Sequence, residues 1–156
     1  MTTEAFDKRL AAEIIAGFDA RPEMLVQILH AFIERFGWIN ADAIRQLAEE
    51  LNLSRADVHG VVSYYHDFRT SPPGQHVIRI CQAEACQAMG SRELSAHAEG
   101  SLGIEMHSSN ADLTLEPVYC LGNCACSPAV MVDGKTYGRV SPKRFDEILG
   151  GLRGAN

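Results

Sequence analysis

The sequence predicts an α+β protein, with a helical bundle over residues 1–70 and a small sheet covered by helices over residues 71–156. Three observations carry this. Before residue 70, apolar residues recur at spacings of three and four, the period of a helix face. Short β-branched and alternating runs begin only later, from His76 onward. Between them lies Ser71-Pro72-Pro73-Gly74, which cannot continue a helix and marks a boundary.

The first element is a helix with Phe6, Leu10 and Ile14 on one face, stopping near Gly17. From Arg21 to Phe36, Leu25, Ile28, Leu29, Phe32, Ile33 and Phe36 form a second stripe, with Pro22 suited to the first helical position and Gly37 to the stop. A third helix follows Asn40, with Ile44, Leu47, Ala48 and Leu51 on one side. Ser54 with Asp57 three residues on resembles a capping box, and Val58, Val61, Val62 and Tyr65 continue a fourth stripe. The aromatic cluster Tyr64, Tyr65 and Phe68 is read as a core plug in preference to a partner-binding patch.

Past the boundary, His76 to Ile80 is a β-branched run ending at Cys81, and Glu84 to Glu99 is a helix stopped by Gly100. Leu113 to Tyr119 alternates as a strand does and ends at Cys120, with Pro117 pointing to a sheet edge. Ala129 to Val132 and Lys135 to Tyr137 flank Asp133-Gly134, a two-residue hairpin signal. Ser141 caps a last helix with Pro142 in its first turn and Phe145, Ile148, Leu149 and Leu152 facing inward. The order β-α-β-β-α puts the cysteines in loops at strand ends.

Composition narrows the function. With 46% hydrophobic residues in 156, the chain can bury a core, so disorder is excluded as its main state. The net charge of -6, without any Lys/Arg-rich run, argues against nucleic acid as a partner. Apolar runs such as Ala129 to Val132 fall far short of the ~18 residues of a membrane span. Glu4 and Asp7 interrupt the opening MTTEAFDKRL where an export signal needs an apolar stretch, so a cytoplasmic protein without membrane insertion is expected. Five cysteines in a reducing compartment point to metal or redox chemistry and away from structural disulfides.

Cys81 and Cys86 are separated by four residues, 33 residues follow, and Cys120 and Cys124 are separated by three. Two loops that each offer two thiolates can curl around a cluster of two irons, which tolerates these wide spacings. A structural zinc more often takes two-residue separations, because both thiolates must meet one ion. The spacing therefore favours a two-iron cluster, with a zinc-stabilised interaction domain as the alternative. Gly122, lacking Cβ, is expected to let backbone N–H groups approach sulfur. Cys126, the fifth thiol, is assigned to packing beside the centre. No C-x-x-C redox motif, H-E-x-x-H, Walker sequence or G-x-G-x-x-G occurs, and His59 and His66 are read as solvated or capping.

These segments resemble the thioredoxin-like 2Fe-2S ferredoxin family, related to the 24 kDa subunit of respiratory complex I. The resemblance runs through LHAFIERFGWINADAIRQLAEELNLSRADVHGVVSYYHDF, PGQHVIRICQAEACQAMG and CLGNCACSPAVMVDGKTYGRV. Within the family, CQAEACQAMG and CLGNCACSP look most like the gamma subunit of soluble NAD-dependent, molybdenum-containing formate dehydrogenases.

The resemblance implies an N-terminal helical bundle, with partner binding in residues 1–70, and a thioredoxin-like 2Fe-2S ferredoxin domain over residues 71–156. It implies that Cys81, Cys86, Cys120 and Cys124 ligate one 2Fe-2S cluster, with Cys126 outside the shared pattern. It further implies a flavoprotein partner that holds FMN, binds NAD(H) and carries its own iron-sulfur cluster, and a larger molybdenum-containing subunit in the full complex. The chain itself would relay electrons with no catalytic residue or substrate site of its own. Equivalent subunits of NADH:quinone oxidoreductase and of NAD-reducing hydrogenase are the related alternatives.

Overall fold

The computed structural model describes residues 6–153. The chain divides into two compact units, Met1–Pro72 and Pro73–Asn156.

In the first unit side chains cap the helices that begin at Lys8, Ala41 and Arg55, and a proline-led turn precedes the one that begins at Leu25. Asp7 caps α1 (Lys8–Ala16), its carboxylate accepting from the Arg9 and Leu10 N–H groups at 2.8 and 3.3 Å. A single 3-10 turn at Pro22–Met24 leads into α2 (Leu25–Phe36), which ends at Gly37 in the left-handed conformation. Asn40 caps α3 (Ala41–Glu50) by accepting from Ala43 N–H at 2.7 Å. Ser54 and Asp57 form the reciprocal box expected at the start of α4 (Arg55–Tyr64).

The faces that these helices bury are the apolar stripes of the sequence. Ile28, Leu29, Phe32 and Phe36 of α2 meet Ala43 and Leu47 of α3 and Val58 and Val62 of α4 in one core. Rings of Phe6, Phe32 and Phe36 pack edge to face or tilted, with the Phe32 and Phe36 centroids 5.4 Å apart. Burial of each such side chain contributes about 1.5–3 kcal/mol, so this unit is held by packing and its caps only set the ends.

The aromatic plug is corrected. Phe68 is buried, but Tyr64 is 75% and Tyr65 42% exposed. The inward stripe of α4 runs through Val58 and Val62, and Tyr64, two residues past Val62, lies off it. Tyr65 is already extended beyond the helix, and its ring turns onto Phe68 at 5.5 Å.

The second unit is a mixed five-stranded sheet. Its strands are β1 (His76–Cys81), β2 (Ser108–Ser109), β3 (Leu113–Val118), β4 (Val130–Val132) and β5 (Lys135–Tyr137), in spatial order β2-β3-β1-β4-β5. β1 and β3 run parallel, so the chain between them must cross over, and α5 (Glu84–Ala88) and α6 (Ser91–Leu102) lie in that connection. Register places Arg79 opposite Glu116, and their side chains pair at 3.1 Å. Ile78, Ile80, Leu115, Val130 and Val132 pack against Leu94 and Ala98 of α6 and against Phe145, Ile148 and Leu149 of α7 (Pro142–Arg153). Asp133 and Gly134 take φ of 48° and 83°, as their two-residue turn requires.

Three details differ from the sequence reading. The expected helix from Glu84 to Glu99 is broken at Met89-Gly90, where Gly90 has φ of 96°, and continues through Gly100 to a stop at Gly103. β2, only two serines long, has no counterpart among the expected strands. Pro117 lies in an interior strand, but β2 reaches only Thr114 and Leu115, so the flank of β3 at Pro117 is open as an edge would be. Among the described residues, no helix is long and apolar enough to cross a membrane.

Candidate metal centre

Cys81 is the last residue of β1 and Cys86 lies in α5, while Cys120 and Cys124 flank a short loop after β3. Parallel pairing of β1 and β3, with Cys81 opposite Val118, brings both loops to the same end of the sheet. The thiols meet there in pairs. Cys120 Sγ is 3.8 Å from Cys124 Sγ, and Cys81 and Cys86 pack in one cluster, close enough that each shifts the other's ionisation. Cys124 senses the charge of Cys86, which links the two pairs electrostatically. The inner pair is almost fully buried in an apolar collar of Ala129, Ala83, Val118 and Leu121, whereas the outer pair is exposed.

These surroundings act differently on each sulfur. Burial pushes the Cys81 thiol up, against opposing N–H groups of Ala83 and Leu121. Burial also raises Cys86, but hydrogen bonds from Ser127, Cys81 and the Ala129 N–H outweigh it and bring the thiol below its ordinary value. Cys124 is raised chiefly by its hydrogen bond and charge repulsion with Cys120. A thiol that resists ionising beside another is relieved by a bound cation, which accepts both thiolates.

Gly122 takes φ of 69° and directs its N–H to Cys120 Sγ at 3.3 Å. A Cβ at Gly122 would meet nothing within 4 Å, so the need for glycine comes from backbone conformation and not from space. Cys124 and Cys126 share the 3-10 turn Cys124–Cys126, in which residues two apart point roughly 120° away from each other. Cys126 is half-buried against Gly138, where a Cβ would come within 2.7 Å of Cys126 Cβ and 2.8 Å of the Cys126 carbonyl oxygen. The next N–H, from Arg139, donates to that same carbonyl at 2.6 Å. Sequence reasoning missed Gly138 as the residue that admits this close approach; its only signal is a glycine between a strand and a helix cap.

The residues present fit an iron-sulfur cluster by the chemistry of the donor set. Four thiols stand at one sheet end, with the Gly122 N–H directed at Cys120 Sγ and the N–H groups of Ala83, Leu121 and Ala129 near enough to the inner sulfurs to favour their ionised forms. A two-iron cluster with four thiolates carries a charge of about -2 when oxidised, and such N–H groups stabilise it. Among the described residues, no three or more His, Cys, Asp or Glu side chains gather closely enough to hold a single ion.

Comparison with known proteins agrees. The chain is 34% identical over 126 residues to an NADH-quinone oxidoreductase subunit of Pseudomonas aeruginosa, covering 80% of this chain and 76% of that protein. The counterpart from Escherichia coli K12 is 32% identical over the same coverage. An NAD+-reducing [NiFe]-hydrogenase in its H2-reduced state shares the fold, with a TM-score of 0.72 at 20% identity over 88% of this chain and 23% of the hydrogenase chain. The model of the thioredoxin-like [2Fe-2S] ferredoxins matches residues 11–153, both units included. A match of that extent, with relatives this similar, means that the chain belongs to the thioredoxin-like [2Fe-2S] ferredoxin family and carries one 2Fe-2S cluster.

Proposed function

We propose that Cys81, Cys86, Cys120 and Cys124 ligate the cluster, and that the chain relays electrons beside an FMN- and NAD(H)-binding flavoprotein in a cytoplasmic NAD-dependent formate dehydrogenase. The observation that carries the ligand set is the meeting of two thiol pairs at one sheet end, one buried and one open to a partner. When bound, a two-iron cluster stores one electron at a time. The chain's own residues hold it, direct N–H groups at its sulfurs and keep water from the inner pair. A mononuclear zinc is less well supported, since one ion needs its donors gathered about one point and these stand as two pairs.

The formate dehydrogenase assignment rests on the segments CQAEACQAMG and CLGNCACSP. A second reading, the equivalent subunit of an NADH:quinone oxidoreductase or NAD-reducing hydrogenase, is favoured by the relatives named above. Affinity purification of the tagged full chain from its own cells, with identification of co-purifying proteins, separates them. A flavoprotein with FMN and a molybdenum-containing subunit is expected. Nickel-containing or quinone-reductase subunits in place of the molybdenum protein select the second reading, and absence of any flavoprotein overturns both. Docking is assigned in part to residues 1–70, where Tyr64 and Tyr65 are exposed. Deletion of that segment is expected to weaken the complex.

A further inference from the structure

One buried polar side chain beside the thiols remains unexplained by ligation. Ser127, at 8% exposure, follows the 3-10 turn, and its Oγ lies 3.5 Å from Cys86 Sγ and 2.8 Å from the Cys124 carbonyl oxygen. It therefore joins the inner thiol of one loop to the backbone of the other. A hydroxyl has one proton to donate and two lone pairs to accept with. While Cys86 is a free thiol, its S–H donates to Oγ and the serine proton goes to the carbonyl. As a thiolate ligand Cys86 has no proton, and turns from donor to acceptor. Ser127 then has two acceptors in reach, a neutral carbonyl and a charged sulfur, and charge-assisted bonds are roughly twice as strong.

We propose that Ser127 tunes the reduction potential of the centre by donating its hydroxyl proton to the Cys86 sulfur. This deepens the proposed ligand set and rests on it. An electron delivered from outside makes the sulfurs more negative, so the bond strengthens in the reduced state and raises the potential. Burial of Cys86 at 1% exposure keeps water from screening or replacing that bond. The N–H donors of Ala83, Leu121, Gly122 and Ala129 belong to the backbone and persist whatever the side chains. Ser127 is the side-chain donor at this sulfur, so its identity can shift the potential without remaking the loop.

The test is an electron paramagnetic resonance titration of the cluster-loaded full chain against dithionite, on wild type, Ser127→Ala and Ser127→Thr. Ser127→Ala is expected to retain its iron and to titrate at a lower potential. At the wild-type midpoint its reduced-to-oxidised ratio should fall by up to about tenfold, the limit reached if a whole hydrogen bond were gained only on reduction. Ser127→Thr keeps the hydroxyl and should return the midpoint toward wild type. An alanine midpoint equal to wild type overturns the proposal, as does a threonine midpoint as low as that of alanine. Iron loss from Ser127→Ala also overturns it, because the hydroxyl would then be a structural tie to Cys124. A wild-type chain that holds no iron rejects the ligand set instead, and is read separately from the metal content.

Discussion

A Cys124→Ala protein is expected to lose its cluster, or to hold it so weakly that iron falls well below wild type on desalting, while Cys126→Ala keeps its iron and visible spectrum. Both thiols lie in one 3-10 turn, so sequence proximity does not separate them. Geometry does. Cys124 Sγ faces Cys120 Sγ at 3.8 Å, whereas Cys126 packs on Gly138 and its carbonyl is held by Arg139 N–H. Loss of Cys126 removes a half-buried thiol and should cost about 1 kcal/mol, a typical value for a point substitution. Loss of Cys124 leaves water in place of thiolate. For Cys126 to substitute, the turn would have to rotate away from Gly138. Iron content and electron paramagnetic resonance of both single variants and the double variant decide the matter. Iron loss in Cys126→Ala with a normal signal in Cys124→Ala would reverse the assignment.

The second large effect concerns NADH. The isolated, cluster-loaded chain is expected not to bleach with NADH, and to bleach rapidly once the flavoprotein partner is added. NADH gives up a hydride, two electrons together, and a flavin is needed to pass them on singly. The chain has neither a Walker sequence nor G-x-G-x-x-G with which to hold the nucleotide. Absorbance followed after mixing with NADH, with and without the partner, measures this. Rapid bleaching of the chain alone would require a nucleotide site within it.

How far the sequence anticipates these features depends on where the information lies. Asp133-Gly134 and the Ser54/Asp57 box are legible because their geometry is local: a two-residue turn and a four-residue cap depend on little beyond their own residues. Gly90, Gly100 and Gly103 show the limit. All three fall in one stretch, yet Gly90 and Gly103 take positive φ and Gly100 continues the helix. A helix tolerates one glycine at about 1 kcal/mol, so packing against the sheet decides which glycine breaks it. Tyr64 is misplaced by the sequence reading because periodicity tells which residues share a face, and the tyrosine lies just off the buried one.

The candidate site divides the same way. Thiol spacing marks Cys81, Cys86, Cys120 and Cys124 as a set, because few residue types can do their chemistry. Ser127 and Gly138 could not be read. Ser127 reaches Cys86 across 41 residues of sequence, and Gly138 matters only because the chain folds back onto Cys126. Both are consequences of the sheet order that sets β4 beside β1 and β5 beside β4.

The central claim is that the four thiols hold a two-iron cluster, and metal analysis of the anaerobically purified full chain, combined with electron paramagnetic resonance, tests it most directly. A brown protein with two irons and two acid-labile sulfides per chain is expected, as the [2Fe-2S] formula requires, turning paramagnetic on one-electron reduction. A colourless protein with stoichiometric zinc, no iron and no signal after reduction would contradict it.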